Sequence, residues 1–190
     1  MNTSVLSKRI AGESLRPKAR TAGVLFLLSV GTALVSEFLL HGSANIAAGL
    51  VAVVCYIGVT LLFYSIFKAV TRTLALLAVS FNLLGLVLEA LRLEPGGVNV
   101  AMVLHGLYCL LMGLVIFRSG FLPRILGVAI IFAGVVWLAN LSPSLADSLA
   151  NYVIVAGILG EGLLPLWILF AGMNVKGCRP QSDCAGFIRN

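Results

Sequence analysis

Residues 44–67 have the sequence ANIAAGLVAVVCYIGVTLLFYSIF and contain no charged side chain. An α-helix needs about 20 mostly apolar residues to cross the hydrocarbon core of a bilayer, and this stretch is longer than that. The whole 190-residue chain has the same character, with 60% hydrophobic and 11% charged residues. Soluble domains are roughly half apolar and a quarter charged. The composition therefore excludes a water-soluble globule and indicates an integral membrane protein.

Six stretches of this kind predict an all-α fold, a polytopic membrane bundle of six transmembrane helices. Unpaired backbone cannot face lipid, so we expect short loops and one compact transmembrane domain at residues 21–172. Residues 1–20 form a basic N-terminal segment, which is either an amphipathic helix on the inner leaflet or a plain tail. Residues 173–190 form a C-terminal tail. The predicted spans are residues 21–40, 44–67, 72–91, 98–117, 122–141 and 148–170.

The basic residues predict the orientation of the bundle. Every Lys and Arg other than Arg92 falls at the same end, before the first span, in the second and fourth connections, or after the last span. Because Lys and Arg collect in cytoplasmic loops, we expect both termini in the cytoplasm. The net charge of +6 is spread over these loops without a nucleic-acid-binding motif. The lipid bilayer, and no nucleic acid, is therefore the expected partner.

Five polar residues inside the predicted spans are the candidate site. Ionisable side chains are costly in a membrane, so each is a functional candidate with an expected partner. From the span centres and the rise of an α-helix, Asn82, His105 and Glu161 lie within roughly 3 Å of the midplane. Glu37 and Glu89 lie about 10 Å toward the exterior, where two carboxylates share a proton if their helices touch. The pattern predicts a polar site for a small solute or a proton.

Glu161 is the first of these candidates because Pro165 follows it on the next helical turn. Proline has no N–H, so the Glu161 carbonyl lacks the hydrogen bond that residue 165 would otherwise donate. The small residues Gly157, Gly160 and Gly162 permit a kink and close helix approach. A freed carbonyl beside a carboxylate suits a cation or proton site in a broken helix. The alternative is a protonated Glu161 that only joins neighbouring helices.

His105 also has two interpretations. It is either a proton acceptor paired with Glu161 or Glu89, since the ordinary pKa of histidine lies near neutrality, or a neutral imidazole satisfied by one interhelical bond. Tyr108, Cys109 and Met112 continue its helical face, a stripe that is more often core than cofactor site.

Catalytic, metal and cofactor motifs are absent from the sequence. The only other histidine is His41, at the end of the first span. A zinc hydrolase, a di-iron centre or a bis-histidine haem therefore lacks ligands. There is also no phosphate-binding glycine loop and no nucleophile elbow. We predict no catalytic residue, no metal and no cofactor, with an enzyme as the minor interpretation.

Residues 117–128, FRSGFLPRILGV, resemble the signature hairpin of a family of bacterial multi-pass membrane proteins, domain of unknown function 4386. Three pairs in the last span look like the closing helix of that family, and residues 22–23 with Glu37 are compatible with its first helix. The resemblance implies a protein of the bacterial inner (plasma) membrane and no established activity. The three pairs are Gly160 with Glu161, Leu166 with Trp167, and Gly172 with Asn174.

Three hypotheses for function follow. In the first, the protein binds or translocates a small solute or a proton through the mid-membrane site, as a homodimer, because one six-helix bundle offers little surface to move against. In the second, it is a structural or accessory membrane protein, or a sensor, whose polar residues serve helix packing. In the third, it is an intramembrane enzyme acting on lipid or quinone, with Glu161 and His105 as acid and base.

Overall fold

The computed structural model describes residues 3–39, 41–93, 97–120 and 122–171, without the side chains of residues 3–16, 37 and 38. Within these residues the fold is all-helical and contains no strand. Six helices are long and apolar enough to cross a membrane, which confirms the predicted number of spans. They are α1 (Thr3–Leu39), α2 (Ser43–Phe67), α3 (Arg72–Ala90), α4 (Val100–Ser119), α5 (Arg124–Trp137), which continues into a short 3-10 turn (Leu138–Leu141), and α6 (Pro143–Phe170).

Two helices begin well before the predicted spans. Helix α1 begins at Thr3 and runs through Pro17, and α6 begins at Pro143 after an extended Ser142. Proline suits the first turn of a helix, because the N–H that it lacks would have no partner there. Hydropathy identifies only the part of a helix that lies in the apolar core of a membrane. The first turns of α6 are polar, so hydropathy did not identify them as part of the helix.

The connection between α4 and α5 is a tight turn. Gly120 has φ +65°, in the left-handed region that ends helices with little strain for glycine. Pro123 then precedes the first residue of α5 with φ −59°. At the other end of α4, the Asn99 side chain accepts a hydrogen bond from the Met102 backbone N–H at 3.1 Å, which satisfies one of the unpaired N–H groups at a helix start.

The six helices form a closed ring. Each helix packs against its neighbours in chain order, and α6 packs against α1. Glycine pairs bring α4 and α5 close together: a Cβ on Gly106 would lie 2.9 Å from the Gly134 carbonyl oxygen, and one on Gly113 would lie 2.9 Å from that of Gly127. Packing is less extensive between α2 and α3 and between α1 and α6. The ring thus has two thin seams.

The two halves of the ring differ in their interior. The half that includes the α2–α3 and α4–α5 connections is filled by a hydrophobic core, in which Phe63, Met112, Val115, Leu164 and Ile168 are buried. The other half encloses a cavity. Large apolar side chains on the outside of the ring remain exposed, as expected where helices face lipid.

Candidate functional site

Glu161 of α6 lies at the boundary between the two halves, with its side chain pointing into the ring. The residue is 8% exposed. Its Oε1 accepts a hydrogen bond from the indole N–H of Trp137 at 2.5 Å, and its Oε2 accepts one from the hydroxyl of Tyr56 at 3.1 Å. The third partner is His105, whose Nε2 lies 2.8 Å from Oε1. Helices α2, α4 and α5 thus each supply at least one partner for this carboxyl group.

His105 connects Glu161 to a second buried polar residue, Asn82 of α3. Its Nδ1 lies 2.9 Å from Oδ1 of Asn82, which is 1% exposed. The Asn82 amide donates to the Thr60 hydroxyl oxygen at 2.6 Å, and that hydroxyl donates to the Tyr56 carbonyl at 2.8 Å. The structure therefore brings together Asn82, His105 and Glu161, the three residues that the sequence places near the midplane.

The directions of these bonds determine the histidine tautomer. The Thr60 hydroxyl uses its one proton on the Tyr56 carbonyl, so it must accept from the Asn82 amide nitrogen. The Asn82 oxygen, which can only accept, then faces His105. Nδ1 of His105 consequently carries a proton. A second proton lies between Nε2 and Glu161, either on nitrogen as an ion pair or on oxygen as a neutral pair, and in both cases the two residues together carry no net charge.

Cys109 and three aromatic rings complete the surroundings of His105. The Cys109 thiol lies one turn after His105 on α4, with Sγ at 3.4 Å from Oε1 of Glu161 and 3.8 Å from Nε2 of His105. The rings of Tyr56, Tyr108 and Trp137 have centroids at 5.5, 5.6 and 5.8 Å from that of the imidazole. Helical spacing alone had favoured a core role for Tyr108 and Cys109, and both are indeed buried.

A cavity of about 950 Å³ occupies the half of the ring on one side of this cluster. Asn82, His105 and Glu161, with Tyr56 and Trp137, line its inner end. It extends from there to the helix ends opposite the α2–α3 and α4–α5 connections. Further polar side chains line its walls and mouth: Ser29, Ser36, Asn45, Asn99 and Asn140.

The other side of the cluster is nearly closed. A cavity of only about 20 Å³ lies there, lined mostly by apolar side chains, with Glu161 and Cys109 at its edge. That volume is enough for about one water molecule. Beyond it the hydrophobic core fills the ring. The cluster is thus accessible from one side and blocked on the other.

Glu89, one of the two outer site residues, is placed differently from the inner three. Glu89 is exposed and lines the cavity close to its mouth, two helical turns beyond Asn82 on α3. Arg92 lies on the same rim and donates from Nη2 to Oδ1 of Asn45 at 2.9 Å. The side chain of Glu37 lies outside the described residues. Proton sharing between Glu37 and Glu89 therefore stays a prediction.

Sequence reasoning did not single out Tyr56, Thr60 or Trp137. Tyr56 was the most detectable of these, because it falls at the centre of the predicted second span, whereas tyrosine in membrane proteins is enriched at the two interfaces. A tyrosine at mid-depth needs a hydrogen-bond partner for its hydroxyl. Thr60, one turn later on the same face, follows from Tyr56.

Comparison with known proteins gives one match, in the second half of the chain. Residues 87–172 match the family model described as Domain of unknown function (DUF4386). No curated protein and no solved structure matches the chain. The matched region includes His105, Cys109, Trp137 and Glu161, and excludes Tyr56, Thr60 and Asn82. The α4–α5 hairpin lies inside the matched region, so residues 87–172 match the same family that the hairpin resembles, the domain of unknown function DUF4386.

Proposed function

We propose that this protein binds a small solute in its cavity and carries it across the inner membrane of a bacterium. Asn82, His105 and Glu161 form the binding end, and Glu89 lies on the entry route. The observation that carries the proposal is the position of the hydrogen-bonded cluster at the closed end of a cavity of about 950 Å³. Small-molecule sites commonly have volumes of about 300–1,000 Å³.

The cavity favours solute binding over a purely structural role. Polar side chains that only hold helices together need no access to solvent. Here His105 and Glu161 both line the cavity, as do their partners Tyr56 and Trp137. A polar solute that entered from the mouth would meet hydrogen-bonding groups held in place by four different helices, with the paths toward the other side filled by apolar packing.

The basic residues support an orientation for this cavity. Lys68 and Arg72 flank the α2–α3 connection, and Arg118 and Arg124 flank the α4–α5 connection, at the end opposite the mouth. Since cytoplasmic loops are rich in Lys and Arg, these connections and both termini lie in the cytoplasm. The mouth of the cavity then faces the exterior.

Release on the cytoplasmic side requires a movement that opens the packed half. The thin seams, between α2 and α3 and between α1 and α6, separate the α1–α2 hairpin from helices α3–α6. Rocking of the hairpin against the remaining four helices disrupts the least packing, as in carriers that alternate access around a fixed site. A homodimer would hold one of these two units in place while the other moves.

The test is flux through proteoliposomes that contain the purified protein. Swelling under gradients of urea, glycine or acetate reports solute movement, and trapped pyranine reports movement of protons alone. Glu161→Gln keeps the volume of the side chain but removes the carboxylate, so we expect its flux to fall to that of empty liposomes. Asp147→Asn, on the exposed surface of the same helix, is the matched control and keeps the wild-type rate.

Two results would contradict the proposal. The first is a Glu161→Gln variant that transports at the wild-type rate. The second is a Glu161→Leu variant that is at least as stable as the wild type in detergent with unchanged flux, which would favour the packing role. Flux of protons without any solute would instead identify the proton as the transported species.

A further inference from the structure

We propose that His105, Cys109 and Glu161 form a binding site for a divalent transition-metal ion, of which Zn²⁺ is the best match. Their ligand atoms, Nε2, Sγ and Oε1, all lie within 4.8 Å of one another. An imidazole, a thiol and a carboxyl group are the three side-chain types that zinc uses most. Nothing else in the described part of the chain brings these types together.

The separations are close to those of a tetrahedral zinc site. Usual bond lengths of zinc to nitrogen, oxygen and sulfur correspond to ligand–ligand distances of about 3.3–3.6 Å. In the structure, Sγ lies 3.4 Å from Oε1 and 3.8 Å from Nε2, while Nε2 lies 2.8 Å from Oε1. Only the contact between His105 and Glu161 must open, by about half an ångström.

The groups around the ligands are those that orient a metal site. A histidine that binds a metal through one nitrogen usually donates its other N–H to a fixed acceptor. His105 does this through Nδ1 to Asn82, which leaves the Nε2 lone pair directed at Cys109 and Glu161. The carboxyl group is held in turn by Tyr56 and Trp137. All three of these supporting hydrogen bonds are present in the structure.

Charge balance also favours a divalent ion. Thiolate and carboxylate together contribute two negative charges and the imidazole none, so a 2+ ion gives a neutral complex, which limits the cost of charge in a low-dielectric interior. Ligands bind in their deprotonated forms, so the thiol proton and the proton shared by His105 and Glu161 leave through the cavity. The thiolate favours zinc over magnesium or calcium, which prefer oxygen ligands.

The site also leaves a coordination position open. His105 and Glu161 line the large cavity, so an ion held between them and Cys109 can take a water molecule or a solute as its fourth ligand. Sequence spacing gave no indication of a metal centre, because it relates only His105 and Cys109, which are one turn apart on α4. The third ligand comes from α6, and only the closed ring places it beside them.

This inference deepens the proposed function by naming the ligand class of the same site, and it rests on that function only for entry through the cavity. Binding is measured in detergent without any flux, so failure to bind metal and failure to transport are distinguishable. The full chain is used, with Cys178→Ser and Cys184→Ser to remove tail thiols. Co²⁺ is titrated first, because a thiolate ligand gives a charge-transfer band in the near ultraviolet, and Zn²⁺ then competes for the site.

We expect one Co²⁺ per chain, with a thiolate band and tetrahedral visible bands that Zn²⁺ abolishes. Cys109→Ser should remove the thiolate band and weaken Zn²⁺ binding at least about 100-fold, because loss of a ligand exceeds the effect of losing an outer partner. Cys55→Ser, at a partly exposed cysteine of α2 that does not line the cavity, is the matched control and keeps both. A thermal unfolding scan of each variant checks that it is folded.

The proposal is overturned if the protein with its tail thiols removed binds no Co²⁺ or Zn²⁺ at stoichiometric concentration. It is equally overturned if folded Cys109→Ser binds Zn²⁺ as tightly as Cys55→Ser, since the thiol is then not a ligand. His105→Gln and Glu161→Gln provide a second measurement that does not depend on the thiol, and a folded variant of either kind with unchanged affinity would also exclude the site.

Discussion

Gly157 of α6 lies against the indole ring of Trp137, so closely that a Cβ atom at position 157 would lie 2.5 Å from ring atoms Cε2 and Cζ2. The same ring donates its N–H to the carboxylate of Glu161, one turn further along α6. Because residue 157 has no side chain, the Trp137 ring of α5 can occupy this space and reach Glu161. This contact gives a direct reason for a glycine at position 157, one turn before the acid. Helix α6 continues through Pro165 as part of Pro143–Phe170.

Gly157→Ala is therefore expected to displace the indole ring and break its hydrogen bond to Glu161. Overpacking of this kind usually costs about 1–3 kcal/mol, so the free energy of unfolding should fall by that amount. Gly162→Ala is the control, because no atom lies within 4 Å of a Cβ at that position. Unfolding in detergent measures stability, and fluorescence in a Trp167→Phe background reports Trp137 alone, since the chain has two tryptophans. Equal effects of the two alanines would contradict the prediction.

The hydrogen-bond directions predict that His105 carries a proton on Nδ1. The chain has two histidines, so His41→Gln leaves a single one, and ¹⁵N-histidine labelling then reports its two ring nitrogens by nuclear magnetic resonance. We expect the Nδ1 signal of a protonated nitrogen, because Asn82 presents only an acceptor to it. An unprotonated Nδ1 would show that the Asn82 amide is turned the other way.

Asn82→Leu should abolish this preference for one tautomer. Leucine branches at the same carbon as asparagine but has no hydrogen-bonding atoms, so Nδ1 of His105 and the Thr60 hydroxyl both lose a partner. Leaving a buried polar group unpaired costs about 1–3 kcal/mol, and we expect lower stability in detergent together with a changed ¹⁵N spectrum. If the spectrum of the variant matched that of the parent, Asn82 would have no part in orienting the imidazole.

Depth is the property of the site that the sequence allows one to calculate. A helix has a fixed rise per residue, so the position of Asn82, His105 and Glu161 near one level follows from the ends of three apolar stretches. Rotation about each helix axis does not follow, because the spans are apolar on all sides and indicate no inner face. The contacts of Glu161 with Trp137 and Cys109 depend on that rotation and on the ring order of the helices, and were not predicted.

Hydropathy predicts which segments are apolar enough to cross a membrane, but not where each helix begins. Apolar length identified the six described helices that are long and apolar enough to cross a membrane, because a bilayer core requires such a length. The start of α6 at Pro143 was missed, because helical turns outside the apolar core are stabilised by local hydrogen bonds and not by hydropathy. A helix within residues 1–20 was one of two alternatives for the N-terminal segment, and α1 begins at Thr3. Glu89 lies toward one end of its helix, as an exposed residue at the rim of the cavity.

The proposed orientation of the cavity, with its mouth toward the exterior, predicts which single cysteines react from outside the cell. Ala146 lines the cavity, and Lys68 is exposed at the opposite end of the ring. In a background without the four native cysteines, Ala146→Cys should react with a membrane-impermeant thiol reagent in intact bacterial cells. Lys68→Cys should react only after the membrane is permeabilised. The reverse pattern would place the mouth of the cavity and both termini on the other sides of the membrane.

Gly106 follows His105 in α4. Its close contact with α5 predicts that the distance between α4 and α5 determines the geometry of the site. A Cβ at this position would lie 2.9 Å from the Gly134 carbonyl oxygen of α5, so Gly106→Ala must push α4 and α5 apart. Because α5 supplies Trp137 and α4 supplies His105, these two of the partners of Glu161 would separate. We expect a loss of about 1–3 kcal/mol in detergent unfolding and a changed ¹⁵N signal of His105. Gly31→Ala in α1, with no atom within 4 Å, should change neither, and a Gly106→Ala variant with its parent's stability and spectrum would show that the glycine contact does not position the site.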